Sequence, residues 1–102
     1  MVQKKFEIRW TANAFEGYEK IYNELLFNWS VEVAEKFRHK VESRLYNLSF
    51  QPYIGRLSEK RENIRSILLS KYNRLYYRLT EDTIELISLF DMRQDPFKNK
   101  FD

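Results

Sequence analysis

The sequence predicts an α+β fold in which a hairpin of two helices packs on one face of a four-stranded, mostly antiparallel sheet. Three observations lead to this prediction: an opening segment alternates polar and apolar residues, two segments then show helical spacing, and three strand-like segments come last. The order β-α-α-β-β-β places all secondary structure in one layered unit. A length of 102 residues suits one core, so residues 1–102 are expected to form a single domain.

The first strand is predicted over residues 4–10, where Phe6, Ile8 and Trp10 alternate with charged residues. Thr11 is a good N-cap for the helix that follows. Gly17 lies inside this helix and could let a neighbouring backbone approach closely. The apolar stripe of the helix is predicted to comprise Phe15, Tyr18, Ile21, Tyr22, Leu25, Leu26 and Trp29.

The second helix is predicted to begin after Ser30, which is a favourable N-cap, and to end before Pro52. Its apolar residues recur every three or four positions, so one face is expected to be buried. They are Ala34, Phe37, Val41, Leu45 and Leu48. The short link between the two helices predicts an antiparallel hairpin.

Residues 51–61 are expected to be irregular, and three strands are predicted over residues 63–70, 73–80 and 83–90. Short polar turns separate these strands, which favours an antiparallel meander. The last strand is apolar on both faces and is therefore expected inside the sheet. The first strand must then return to the sheet beside it.

The strand over residues 73–80 places basic and aromatic residues on one face. If Leu75 and Tyr77 face the core, then Arg74, Tyr76 and Arg78 face outward, where guanidinium groups can bind phosphates or carboxylates. Residues 56–78 contain seven basic and two acidic side chains, a local excess of five in a chain of net charge +3. This excess is expected to attract an anionic partner.

Several classes of site are excluded or unsupported by the composition. The chain has no cysteine and one histidine, His39, so no cysteine-based zinc site and no Ser-His-Asp set is indicated. Neither glycine belongs to a phosphate-binding loop. No cofactor or metal is therefore expected. The sequence shows no signal peptide and no membrane-spanning stretch, so a cytoplasmic protein is expected.

A series of short motifs carries a resemblance to a known family. They are Trp10-Thr11-x-x-Ala14, Ala34-x-x-Phe37, Leu48-x-x-x-Pro52-x-x-Gly55, Ile64-Arg65, Lys71-Tyr72-x-Arg74-Leu75-x-Tyr77-Arg78 and Asp91-x-Arg93-x-Asp95-Pro96. With these motifs in this order, the chain resembles the RelE/ParE superfamily of toxins from bacterial type II toxin–antitoxin systems. The resemblance implies a growth inhibitor of the kind linked to plasmid stabilisation. A cognate antitoxin, whose acidic and unfolded segment wraps around the toxin, is expected to neutralise it.

The resemblance leaves two activities open, namely inhibition of DNA gyrase by ParE-like members and ribosome-dependent mRNA cleavage by RelE-like members. Carried over from RelE-like members, the candidate catalytic residues are Arg65, Arg74 and Arg93. Ile67 stands where some ribosome-dependent nucleases have a lysine, and the tail after Pro96 has no tyrosine or histidine. An arginine, whose pKa is above about 12, is a poor general base. These departures favour the ParE-like activity, which is not enzymatic RNA cleavage. A nucleic-acid-binding module that uses Tyr76 for stacking is a third hypothesis.

The candidate residues for binding a target are Lys71, Tyr72, Tyr76, Arg78, Asp91 and Asp95. We expect Arg65, Arg74 and Arg93 to converge on one open face of the sheet. Arg93 is expected to be held by Asp91 or Asp95, with Pro96 fixing the end of the strand.

Overall fold

The computed structural model describes residues 4–93, which form two helices and five strands. In chain order these elements are β1 (Glu7–Trp10), α1 (Ala12–Asn28), α2 (Val31–Phe50), β2 (Arg56–Leu57), β3 (Ile64–Leu68), β4 (Asn73–Leu79) and β5 (Thr83–Asp91). The predicted α+β class and the predicted order of helices and strands are confirmed. Asp95, Pro96 and the tail lie outside the described residues.

The sheet has the strand order β1-β5-β4-β3-β2. β1 runs parallel to β5, with Ile8 opposite Ile84, and the other neighbours are antiparallel. The predictions that β5 lies inside the sheet and that β1 returns beside it are therefore confirmed.

The strand count of four was wrong, because a fifth strand, β2, occupies the edge of the sheet. It comprises Arg56 and Leu57, which lie opposite Ser66 and Arg65 of β3. Two residues are too few to show an alternating pattern, so the sequence alone does not distinguish this strand from the irregular stretch around it.

Both helices begin at the predicted caps. The Thr11 hydroxyl accepts a hydrogen bond from the Ala14 amide at 3.2 Å, and the Ser30 hydroxyl accepts one from the Val33 amide at 3.1 Å. All five residues of the stripe predicted for α2 are buried.

The stripe predicted for α1 is wrong at two positions. Phe15 is 45% exposed, and Trp29 is 75% exposed because it follows the last residue of α1 and turns away from the core. The small Ala14 is the fully buried residue of this helix. Helical spacing alone does not show that an apolar side chain finds a surface to pack on.

α1 lies unusually close to β5. A Cβ atom on Gly17 would stand 2.7 Å from the Leu89 carbonyl oxygen, so the backbones approach at this point as the glycine suggested. The register passes from Tyr76 opposite Ser88 to Tyr77 opposite Leu86, which leaves Ile87 as the extra residue of a bulge. The carbonyl of Ile87 accepts hydrogen bonds from the side chains of Thr11 and Asn13, which ties the start of α1 to the bulge.

The core lies between the helix hairpin and the inner face of the sheet. It is formed by buried residues from both helices and from β3, β4 and β5, and Phe6, Ile8 and Trp10 pack against it. Over residues 4–93, no helix has the length and apolar character that crossing a bilayer requires.

Candidate functional site

The register of β3 with β4 separates two of the three candidate arginines. Arg65 lies opposite Tyr77, whose side chain is in the core, whereas Arg74 lies opposite Leu68 on the outer face. Residues directly opposite one another share a face of the sheet. The prediction that Arg65 and Arg74 converge on one face is therefore wrong.

Arg65 holds the loop that joins α2 to β2. Its Nη1 donates hydrogen bonds to the carbonyls of Tyr53 (3.1 Å) and Gly55 (2.9 Å), and its guanidinium carbon lies 5.3 Å from the centre of the Tyr53 ring. These partners account for the position of Arg65 without any ligand. The geometry is that of a structural anchor.

Tyr77 fixes the same loop from inside the core. Its hydroxyl donates to the Pro52 carbonyl at 2.8 Å and accepts from the Gly55 amide at 3.0 Å. Burial raises the pKa of this phenol. A Cβ atom on Gly55 would stand 2.3 Å from the hydroxyl, so the loop needs glycine here. The motif residues Pro52, Gly55, Arg65 and Tyr77 thus form one structural unit.

Arg78 belongs to an ion-pair group on the outer face. It binds one oxygen of Glu85, while Arg9 of β1 binds the other. The hydrogen bond from Arg9, which has the larger effect, and the one from Arg78 hold the pKa of Glu85 below its usual range. Arg78 is therefore already paired inside the protein. The sequence prediction missed Glu85 as its partner, although a carboxylate between Ile84 and Leu86 was the available signal.

Tyr76 and Arg74 lie next to one another on the outer face as predicted, but Tyr76 is not accessible. Its exposed fraction is 0%, and it is flanked across the sheet by Ser66 and Ser88. The expectation that Tyr76 offers a surface for stacking is wrong, because a buried ring cannot receive a base. This removes the residue on which the binding-module hypothesis depended.

Arg74 is the candidate arginine that lies on the outer face. Its Nη1 donates to the Ser66 hydroxyl at 3.0 Å, and its Nε is buried and makes no hydrogen bond with any described residue. Ile67, for which the resemblance pointed to a lysine in some ribosome-dependent nucleases, is buried in the core and faces away from Arg74.

Four of the predicted residues meet where β5 ends, and we call Lys71, Tyr72, Asp91 and Arg93 the Tyr72 cluster. Arg93 Nη2 donates to Asp91 Oδ2 at 2.8 Å, and both its Nε and its backbone amide donate to Oδ1. The Arg93 guanidinium carbon lies 5.0 Å from the centre of the Tyr72 ring, and Lys71 Nζ lies 5.4 Å from it. The prediction that Asp91 holds Arg93 is confirmed.

The backbone sets the position of this cluster. The Met92 amide donates to the Tyr72 carbonyl at 2.7 Å, and Asn73 lies opposite Asp91 in the sheet. The turn between β3 and β4 is thereby joined to the end of β5. Two cations and a ring that is 42% exposed are thus presented at one end of the sheet.

The electrostatics of the Tyr72 cluster suit binding rather than proton transfer. Hydrogen bonds from Arg93 hold the pKa of Asp91 below its usual range, and the carboxylate in turn raises the pKa of Arg93. Asp91 is therefore ionised and occupied. Arg93 remains 62% exposed and can still reach a carboxylate, a phosphate or a ring on another molecule.

No group of three or more histidine, aspartate or glutamate residues that could hold a metal ion occurs between residues 4 and 93. The described part of the site therefore consists of cations, one aromatic ring and paired carboxylates.

Solved structures with the same fold come from both branches of the superfamily. The chain is similar to a structure of the chromosomal ParDE toxin–antitoxin system from P. aeruginosa, with a TM-score of 0.73, 19% identity, and coverage of 85% of this chain and 96% of that one. The RelBE2 toxin–antitoxin complex from Mycobacterium tuberculosis gives a TM-score of 0.59 at 18% identity, covering 88% and 94%. The YoeB dimer from Staphylococcus aureus gives 0.57 at 19%, covering 82% and 93%.

At these identities the likeness is one of fold, and it does not separate ParE-like from RelE-like activity. No curated protein matches the sequence significantly. The family model of the ParE toxin of the type II toxin–antitoxin system parDE matches residues 8–96, nearly the whole chain. The chain therefore belongs to the ParE toxin family of type II toxin–antitoxin systems, within the superfamily that its motifs indicated.

Proposed function

We propose that this protein inhibits growth in the ParE manner, by acting on DNA gyrase, and that a cognate antitoxin neutralises it. The family match supports the toxin role, and the similar ParDE and RelBE systems are toxin–antitoxin pairs, which supports an antitoxin as partner. The choice of gyrase depends on the chemistry of the site.

The observation that favours gyrase is the state of the proton-transfer groups near the candidate arginines. Cleavage of RNA at a ribose 2′-hydroxyl needs a positioned base and a positioned acid. Among the described residues, Glu85 is held by two arginines and Asp91 by Arg93, while Tyr76 and Tyr77 are fully buried. Each of these four is occupied or inaccessible, which leaves Tyr72 as the accessible phenol beside Arg93. A surface of this kind supports a binding inhibitor better than a nuclease.

The Tyr72 cluster is the part of the site that we propose contacts the target. Arg93 and Lys71 supply charge, and the Tyr72 ring, which both cations contact, supplies a flat apolar surface. Arg74 adds a guanidinium on the outer face. Arg65 and Arg78 are not assigned to target binding, because the loop and Glu85 occupy them.

The antitoxin is proposed to bind along the basic region, residues 56–78. Strand β2 lies at the edge of the sheet, where an extended peptide can add by backbone hydrogen bonds. Tyr53 and Ile54, which precede β2, and Leu57, which belongs to it, are 68%, 51% and 54% exposed, which provides apolar contacts. An acidic segment that is unfolded alone suits both features.

Salt dependence tests this mode of antitoxin binding. The protein is mixed with the product of the neighbouring reading frame, and the dissociation constant is measured between about 50 and 500 mM salt. We expect affinity to fall as salt rises, because charge attraction is screened. Binding that is independent of salt would contradict the role of the basic region.

Two parallel reactions test the choice of target. Purified protein is added to a gyrase supercoiling reaction and to a cell-free translation reaction in which mRNA fragments are mapped. We expect supercoiling to be impaired and mRNA to stay intact. Cleavage in phase with codons, with supercoiling unaffected, would reject the gyrase proposal in favour of the RelE-like alternative. The proton carrier would then be sought among Tyr72, Asp91 and Asp95.

The RelE-like alternative is supported by Arg74. Its guanidinium is partly exposed on the outer face and its hydrogen bond to the Ser66 hydroxyl leaves its charge unpaired by any described carboxylate, so a phosphate could still bind it. Ribosome-dependent cleavage is therefore kept as the second candidate function.

A further inference from the structure

Three large apolar side chains are exposed where α1 ends, in the turn after it and where α2 begins, and we call these residues, Phe27, Trp29 and Val31, the hairpin tip. They are 83%, 75% and 63% exposed. Phe27 and Trp29 are the two most exposed large apolar side chains of residues 4–93. Single exposed apolar residues are common, but three within five positions at one turn mark an interaction surface.

The hairpin tip is held in place by its backbone. The amides of Trp29 and Ser30 both donate to the Leu25 carbonyl, at 3.0 and 3.1 Å, and the Ser30 hydroxyl caps α2. The exposed rings are therefore displayed from an ordered turn. A preordered surface loses less conformational entropy when it binds, and Trp is among the residues that contribute most at interfaces.

Charge around the hairpin tip indicates what kind of molecule it binds. Residues 21–35 contain three glutamates and no lysine or arginine. Arg38 pairs with Glu35, while Glu24 and Glu32 are exposed on either side of the tip. The basic region, residues 56–78, has the opposite sign. An acidic peptide is attracted to the basic region and repelled from the tip.

A second copy of the chain is a poor partner for the tip. The complementary surface on another copy would be the basic region, so the contact would join two different surfaces. Such head-to-tail contacts form open chains unless the rotation closes a ring. A different protein, with an apolar pocket bordered by lysine or arginine, fits both the rings and the charge.

We propose that the hairpin tip docks in an apolar pocket with a basic rim on the protein that this toxin inhibits. The part of the basic region before Lys71, which includes the edge strand β2, is then left for the antitoxin. The proposal rests on the toxin function given above but does not require that the target be gyrase.

The test compares the full chain with its Phe27→Ser/Trp29→Ser double variant. Tyr46→Ser is the matched control, since Tyr46 is 60% exposed near the far end of α2. For the wild type, the double variant and the control we measure growth inhibition in a bacterial host, gyrase inhibition, binding to the neighbouring gene product, oligomeric state and thermal melting. Melting shows that each variant is folded. In a second double variant, Glu24→Gln/Glu32→Gln, target inhibition should weaken and lose part of its salt dependence.

We expect the tip variant to lose growth inhibition and to need at least roughly 30-fold more protein for the same effect on the target, the change typical of losing one interface hot spot. Antitoxin binding and melting should stay unchanged, and the Tyr46→Ser control should remain toxic. Wild-type protein could arrest growth of the host without inhibiting gyrase, while the tip variant does not arrest growth. In that case the proposed target is wrong but the tip proposal stands.

Three outcomes would overturn the tip proposal. The first is a folded tip variant that is as toxic as the wild type. The second is loss of antitoxin binding in that variant, which would make the antitoxin the occupant. The third is a wild-type dimer that the variant converts to a monomer, which would make a second copy the occupant. A wild-type chain that does not affect growth would reject both this proposal and the toxin function.

Discussion

Replacing Tyr77 by phenylalanine removes one hydroxyl that fixes the loop after α2. The Gly55 amide and the Pro52 carbonyl, which this hydroxyl binds at 3.0 and 2.8 Å, then lose their partner in a buried setting. Leaving a buried polar group without a hydrogen bond costs about 1–3 kcal/mol. With two groups affected, Tyr77→Phe should lower the free energy of unfolding by about 2–6 kcal/mol. For a domain of this size the melting temperature should fall by roughly 10–30 °C.

The assay is urea unfolding followed by circular dichroism. Tyr53→Phe is the matched control, because it removes the same atom from a side chain that is 68% exposed. We expect the control to change stability by less than about 0.5 kcal/mol. If Tyr77→Phe is as stable as the control, the loop is not held by the Tyr77 hydroxyl, and the structural explanation of the motif from Pro52 to Tyr77 fails.

Three further predictions concern α1, the ion-pair group and the candidate arginines. Gly17→Ala should destabilise the protein by about 1 kcal/mol in urea unfolding, because overpacking against the Leu89 carbonyl costs about 1–3 kcal/mol and the gain in helix propensity returns about 1 kcal/mol. Because folding lowers the pKa of Glu85, the ionised Glu85 carboxylate stabilises the fold above about pH 4.3, and this stabilisation is lost as the pH falls further. In Glu85→Gln, the free energy of unfolding should therefore depend less on pH in this acidic range. Arg74→Ala and Arg93→Ala should each abolish growth inhibition, and Arg74→Ala should change the free energy of unfolding by less than about 1 kcal/mol. Retained toxicity in the double variant would exclude both arginines from the toxic mechanism.

The alternation of residues predicted the faces of β4 correctly. Leu75 and Tyr77 are buried in the core, and Arg74 and Arg78 lie on the outer face. The two faces of β4 have surroundings that differ from each other, so the sequence shows a period of two. Helix caps were equally local signals and were also right.

Arg65 shows where this reasoning fails. β3 has buried residues on both faces, since Ile64 and Ser66 are buried on the outer side and Ile67 on the inner side. Because both faces of β3 contain buried residues, the sequence pattern does not show which way each side chain points. That direction depends on the register with β4, and a shift of one residue reverses it. The register is set by turns and tertiary packing, which the sequence pattern does not contain.

The Tyr72 cluster was only partly predictable for a related reason. Asp91 and Arg93 are two residues apart, so their pairing followed from local spacing. Their contact with Tyr72 depends on β4 pairing with the end of β5, a meeting of residues about twenty positions apart. The burial of Tyr76 likewise depends on packing and not on its place in the alternation.

The most direct test of the account is a titration of gyrase with the wild-type protein and with Arg93→Ala. Both are first shown to be folded by circular dichroism, and Arg65→Ala is included as a structural comparison. We expect wild-type protein to bind gyrase and impair supercoiling, Arg93→Ala to bind at least roughly tenfold more weakly, and Arg65→Ala mainly to lower stability. Equal binding by wild type and Arg93→Ala, or no binding by the wild type, would contradict this expectation.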